Sequence, residues 1–211
     1  MSSLLSTLTY NLCDLGEGVL VETPNYGMFE ADLIYQNGLK LIFVPTEGVE
    51  DRFSASYSAQ LVAAYEKALQ TASEQGITVR AVLICNPCNP LGRCYSRDSL
   101  IRLAEFCYKN RLHLVSDEIY ALSAGPATPD MDAFTSVLSL SQCDVGPLPS
   151  THILSGASKD FGLGGLRLGW MITRNSLVWD AVRRLGFVLV LSTFPFIQKC
   201  RVEIADYAIG P

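Results

Sequence analysis

Three short apolar runs, each closed by a cluster of polar residues, constrain this chain more than any other feature. They are Val79-Arg80-Ala81-Val82-Leu83-Ile84, Leu112-His113-Leu114-Val115-Ser116 and Thr151-His152-Ile153-Leu154. Their length and β-branched content predict buried strands, and stretches of helical periodicity separate them. Helices are expected over residues 3–13, 28–36, 59–74, 97–110 and 177–190, with further strands over 19–22, 39–44 and 168–172. Such alternation predicts a doubly wound, mostly parallel sheet with helices on both faces, a three-layer α/β/α domain. An apolar share of 49% in 211 residues suffices for one sizeable core. Residues 124–132 and 141–150, rich in Pro, Ser, Gly and Asp, read as surface insertions.

In an open parallel sheet the ligand lies outside the carboxyl ends of the strands, so the polar clusters should meet along one edge. The first is Cys85-Asn86-Pro87-Cys88-Asn89-Pro90-Leu91-Gly92, the second Asp117-Glu118-Ile119-Tyr120. The third runs Ser-Gly-Ala-Ser-Lys-Asp-Phe-Gly-Leu-Gly-Gly-Leu-Arg from Ser155 to Arg167. One pocket could therefore gather Asn89, Asp117, Tyr120, Lys159 and Arg167.

Those five side chains suit pyridoxal phosphate. A lysine amine condenses with the cofactor's carbonyl to give a Schiff base, and once displaced it can carry a proton to and from the substrate α-carbon. That is the role read for Lys159, the candidate catalytic residue. A buried carboxylate, Asp117, would keep the ring nitrogen protonated so that the ring accepts electrons. Asn89 and Tyr120 offer an amide and a phenol to the ring's phenolic oxygen. The planar fork of Arg167 suits the phosphate.

The segments N-P-C-N-P-L-G, S-D-E-I-Y and S-K-D-F-G-L-G-G-L-R-L-G, in this order and spacing, resemble the large domain of fold-type I pyridoxal-phosphate enzymes, the class I/II aminotransferases. The nearest likeness is to their aminocyclopropane-carboxylate-synthase-like branch. By that resemblance Asn89, Asp117, Tyr120, Lys159 and Arg167 take the family's cofactor-binding roles, with Lys159 forming the internal aldimine. Tyr26, in Thr-Pro-Asn-Tyr-Gly, matches the aromatic position that packs on the ring or substrate. The resemblance implies an amino-acid substrate, a transaminase or synthase-like lyase reaction, and a homodimer.

Two departures stand beside the resemblance. The family's phosphate-binding serine three residues before the lysine is Gly156 here, with Ser155 and Ser158 nearby. The family's small-residue phosphate loop, which opens a helix whose N–H groups and dipole attract the anion, falls at Met1-Ser2-Ser3-Leu4-Leu5, with Ser2 as its remnant. Family members are also considerably longer. Residues 1–211 are therefore expected to be a cofactor domain cut at both ends, without the N-terminal arm and the C-terminal small domain. The alternative is a catalytically impaired remnant that binds the cofactor or partners a full-length paralogue.

Composition excludes other classes. A formal charge of −5 with no basic stripe argues against nucleic acid. No signal-peptide pattern opens the chain, and the greasy stretch 185–197 is broken by Ser192, Thr193 and Pro195. No membrane association and a cytoplasmic location are expected. Seven cysteines include Cys85-x-x-Cys88, but the number is odd and no second such pair follows, so they read as buried or turn-flanking thiols and no metal is expected. His113 and His152, both in strands, read as structural. No G-x-G-x-x-G follows an early strand, which argues against a dinucleotide domain.

Overall fold

The computed structural model describes residues 1–128, 131–140 and 151–190. Within them the chain runs α1 (Ser2–Leu12), β1 (Gly18–Thr23), α2 (Met28–Glu30), β2 (Lys40–Pro45), α3 (Ser58–Glu74), β3 (Val79–Cys85), α4 (Arg97–Lys109), β4 (His113–Asp117), β5 (Thr151–Gly156), β6 (Gly169–Thr173) and α5 (Ser176–Val190). The strands form one sheet in the order β2-β1-β3-β4-β5-β6. The first five pair in parallel, and β6 pairs antiparallel to β5, from His152↔Thr173 to Gly156↔Gly169. The expected doubly wound sheet is thus present, closed at one edge by an antiparallel strand.

Alternation along the strands builds the three layers. Successive side chains on a strand point to opposite faces, and a central parallel strand buries both. Leu20, Val82, Ile84, Leu114 and Ile153 face α3 and α4, where they pack with Leu61, Tyr65, Leu100 and Leu103. Val19, Val21, Leu83, Val115 and Leu154 face the other way, onto Leu5 and Leu8 of α1, Phe29 of α2 and Val178 and Val182 of α5. Each fully buried Leu or Val contributes about 1.5–3 kcal/mol, so two such layers fix the strand register firmly.

The chain winds outward from β1 to β2 and then jumps back across β1 to β3. The strand order therefore reverses between β1 and β3, and a crevice at the carboxyl ends follows at that point. Local signals set the helix starts. Ser96 accepts a hydrogen bond from Ser99 N–H at 3.1 Å at the start of α4, and Asn175 accepts one from Val178 N–H at 3.1 Å at the start of α5.

The helix expected over 28–36 takes a different form. Met28–Glu30 is α-helical, and Ala31–Tyr35 continues as a π-helical turn. The wider turn buries Asp32 (3% exposed) together with Leu33, a combination that apolar periodicity does not signal. The stretch 124–132 is described to residue 128 and again from 131, where Thr128 and Met131 form an isolated bridge. The stretch 141–150 lies outside the described residues.

Candidate functional site at the carboxyl edge of the sheet

The loop after β3 is held from inside. Asn86 is fully buried; its side chain accepts from Tyr95 N–H at 3.2 Å and donates to Thr135 O at 2.9 Å. Its backbone N–H donates to Asp117 O at 2.9 Å, which extends the strand pairing into the loop. Cys88 N–H donates to Arg93 O and Gly92 N–H to Cys88 O, and Gly92 takes a positive φ of 65°, so the chain closes on itself. The peptide bonds Asn86–Pro87 and Asn89–Pro90 are cis. Asn89 stands half-buried at the tip, and with Tyr120 it lines a cleft of about 320 Å³ bounded also by Cys88, Cys94, Ser123 and Asp132.

Asp117 ends β4 and is 4% exposed. Ile119 N–H donates to its Oδ1 at 3.1 Å. Burial lifts the carboxyl from its ordinary 3.8 to about 7, opposed by that N–H and by the Met1 amine. A carboxyl in this state favours a cationic N–H beside it, because such a partner restores the interaction lost with water. The neighbouring Glu118 is occupied differently: its Oε1 accepts from Val137 N–H at 3.0 Å and from Ser116 Oγ at 3.2 Å, which pins the segment following the insertion. Tyr120 comes two residues later and is half-buried.

The lysine segment descends from β5. Lys159 is exposed, and its Nζ lies 6.0 Å from the centroid of the Tyr120 ring, within cation–π range. Asp160 accepts hydrogen bonds from Leu122 N–H and Ser123 Oγ. Ser155 is spent on Glu118 O at 3.2 Å. Gly156 is closed to any side chain, since a Cβ there would stand 2.9 Å from Leu168 O and 3.3 Å from Gly169 Cα. Arg167 adopts the left-handed region at φ 53°, and its Nη1 donates to Gly164 O at 3.0 Å within its own turn.

Helix α1 begins at this same edge. A Cβ on Gly169 would lie 3.4 Å from the Met1 nitrogen, and both Arg167 and Asp117 act electrostatically on that nitrogen. Burial raises the Asp32 carboxyl, and Ser2 and the Met1 amine at the start of α1 oppose that rise. A helix start beside an arginine suits an anion. Tyr26 sits in the turn after β1, 38% exposed, with its ring edge-on to Phe29 at 5.5 Å, and it does not line the cleft.

Asn89, Tyr120 and Lys159 thus lie together, Asp117 is buried at the end of the neighbouring strand, and Arg167 marks the end of the edge nearest α1. The set fits pyridoxal phosphate in its chemistry: a buried acid seeking a cationic donor, an amide and a phenol over one cleft, and an accessible amine. Two features escaped reading from sequence. Asp160 was not singled out, although its position directly after Lys159 was a usable signal. Arg52, in the charged stretch Val49-Glu50-Asp51-Arg52-Phe53, was not singled out either, and it is 4% exposed.

Comparison with known proteins adds four likenesses. The family model described as "Aminotransferase class I and II" matches residues 1–195. Among curated relatives, "Probable aminotransferase gliI" of Aspergillus fumigatus is 39% identical over 180 residues, 82% of this chain and 39% of its own length. The "1-aminocyclopropane-1-carboxylate synthase 2" of Oryza sativa subsp. japonica is 40% identical over 189 residues, 88% of this chain and 37% of its own. Among solved structures, an aromatic aminotransferase from Pyrococcus horikoshii OT3 superposes with a TM-score of 0.65 at 26% identity, covering 88% of this chain and 44% of that one. The chain spans about two fifths of the length of these curated relatives.

Proposed function

Because this chain belongs to the class I and II aminotransferase family, we propose that it is the pyridoxal-phosphate-binding domain of an enzyme that transforms amino acids, a transaminase or an aminocyclopropane-carboxylate-synthase-like lyase. The observation that carries the reading is the position of Lys159 Nζ, 6.0 Å from the Tyr120 ring centroid, on the edge where the carboxyl of Asp117 is buried. Bound there, pyridoxal phosphate would supply a carbonyl for the amine and a ring that takes up electrons from the substrate α-carbon.

The chain's own residues divide the remaining work. Asp117 would hold a proton at the ring nitrogen. Asn89 and Tyr120 would offer an amide and a phenol to the ring's phenolic oxygen. Lys159 would hold the cofactor through its amine and, when that amine is free, carry the α-carbon proton. Arg167 and the first turn of α1 would neutralise the phosphate. Tyr26, outside the cleft in the turn after β1, would have to swing off Phe29 to cover the ring or substrate. A homodimer and a cytoplasmic location complete the proposal; Cys13, Cys85, Cys88, Cys94 and Cys107 are all free and buried, which suits a reducing compartment.

A second reading is cofactor binding without turnover. It is favoured by Arg167, whose Nη1 is engaged by Gly164 O, and by Gly156, where the sheet edge leaves no room for a serine hydroxyl. Incubation with pyridoxal phosphate, borohydride reduction and peptide mapping test the first element of both. The adduct is expected on Lys159 and lost in Lys159→Ala; an adduct spread over surface lysines with Lys159 unmodified would overturn the assignment. Amino acids assayed with a keto-acid acceptor then separate the two, since a Lys159 adduct without turnover supports the second.

A further inference from the structure

A buried ion pair occupies the crevice where the strand order reverses. Glu22, near the end of β1, accepts hydrogen bonds from Tyr65 Oη and Tyr95 Oη, each at 2.7 Å, and pairs with Arg52 Nη1 at 3.2 Å. Glu22 and Arg52 are each 4% exposed. Burying two charges costs several kcal/mol of lost hydration per ion, and such a pair is often replaceable by apolar residues without loss of stability. Stability alone is therefore a poor account of it.

The remaining donors of Arg52 indicate another purpose. Nη1 also donates to Thr23 O and Thr46 Oγ1, each at 2.9 Å, and so grips the ends of β1 and β2. Nη2 donates to Pro24 O at 3.2 Å and to Cys88 Sγ at 3.3 Å. Pro24 lies two residues before Tyr26, and Cys88 lies one residue before Asn89. A single nitrogen therefore ties together the two loops that leave the sheet on either side of the reversal. Arg52 Nε is the only buried side-chain nitrogen or oxygen among the described residues without a partner. An unpaired buried donor is costly, and it is tolerated where the rest of the fork is fixed by geometry.

We propose that Arg52 is a positioning residue: its fork fastens the Asn89 loop to the Tyr26 turn, and thereby fixes the Cys88–Asn89 wall of the cofactor cleft. A lysine ammonium cannot replace it, because one nitrogen cannot span the five acceptors held by two. The consequence for the cofactor rests on the function proposed above, whereas the tether itself does not.

The test uses the full chain with Arg52→Met combined with Glu22→Gln, which removes both charges and leaves Tyr65 and Tyr95 an amide partner. Without cofactor, alkylation of Cys88 by iodoacetamide, mapped by mass spectrometry, should rise about ten-fold, the scale of a lost charged hydrogen bond. Cys107, buried in α4 at 1% exposure, serves as the internal control and should keep its rate. With pyridoxal phosphate, the dissociation constant should rise by about the same factor, and the pH at which the bound cofactor's visible band changes should move.

An unchanged Cys88 rate overturns the proposal. So does a parallel rise at Cys107, which signals general loosening, and so does faster alkylation with unaltered cofactor affinity and spectrum. If the unsubstituted chain fails to bind the cofactor at Lys159, the function proposed above falls, and the Cys88 rate alone decides the tether.

Discussion

The carboxylate of Asp160 accepts a hydrogen bond from the backbone N–H of Leu122 at 2.8 Å across 38 residues of sequence. The same group accepts from Ser123 Oγ. The turn that carries Tyr120 is thus fastened to the residue next to Lys159, and the amine and the ring share one mounting.

Asp160→Ala should loosen that mounting with little effect on the fold. The bonds are exposed, so about 1 kcal/mol of stability is expected to be lost. Affinity for pyridoxal phosphate should fall several-fold. Denaturant titration beside a cofactor titration checks both; lowered stability with unaltered cofactor affinity would mean that the contact supports only the fold.

Asp117 predicts an unusual pH dependence. Its carboxyl rises from 3.8 to about 7 on folding, through burial first. A raised pKa means that the native state holds the proton more tightly, so the stabilisation is full below 3.8 and is lost as pH climbs past 7. Between pH 5 and pH 8 the cofactor-free protein should lose about 3 kcal/mol relative to Asp117→Asn. Saturating pyridoxal phosphate should shrink that gap if a cationic ring nitrogen meets the carboxylate. Chemical denaturation of both proteins at the two pH values, with and without cofactor, measures it.

Gly156→Ser restores the serine that the family resemblance leads one to expect, and it should do harm. Its Cβ would meet Leu168 O at 2.9 Å on the β5–β6 pairing. Overpacking of this kind costs about 1–3 kcal/mol. A lowered denaturation midpoint with no gain in cofactor affinity is expected.

His152 carries the opposite pH signature at the far end of the sheet. Its Nε2 lies 2.9 Å from His113 Nδ1 and its Nδ1 lies 2.8 Å from Thr173 Oγ1. Burial, helped by His113, lowers its pKa from 6.5 to about 3. The unfolded chain then binds the proton more readily, so stability present above 6.5 is lost on acidification. At pH 5 this amounts to about 2 kcal/mol. His152→Asn should remove that part of the acid sensitivity, read as the difference in unfolding free energy between pH 7.5 and pH 5.

The parts of this molecule that could be read from sequence are those in which neighbours in the chain are neighbours in space. The strands ending at Cys85, Asp117 and Gly156 announce themselves by apolar runs, and the polar residues just past them share an edge because parallel strands end together. The π-helical turn at Ala31–Tyr35 gave no such sign, because it depends on burying Asp32 against the start of α1. Arg52 was equally hidden. Its partners Glu22, Thr23, Pro24 and Cys88 lie far from it in sequence, and only the folded crevice makes a loop arginine an interior one. The closure of Gly156 arises from the β5–β6 register, a property of two backbones that side-chain chemistry does not encode.

The reversed direction of β6 governs which residues the chain can bring to one edge. Five strands deliver to it only the residues beyond their carboxyl ends, and each needs a crossover to come back for another. The sixth delivers the residues ahead of its amino end. A single unbroken turn from Lys159 to Arg167 therefore never leaves the edge, and the amine and the guanidinium are spaced by the length of that turn instead of by the packing of a helix. Insertions elsewhere in the fold can lengthen a crossover without disturbing the edge, but a residue added or removed between Lys159 and Arg167 would change the distance between the amine and the guanidinium directly.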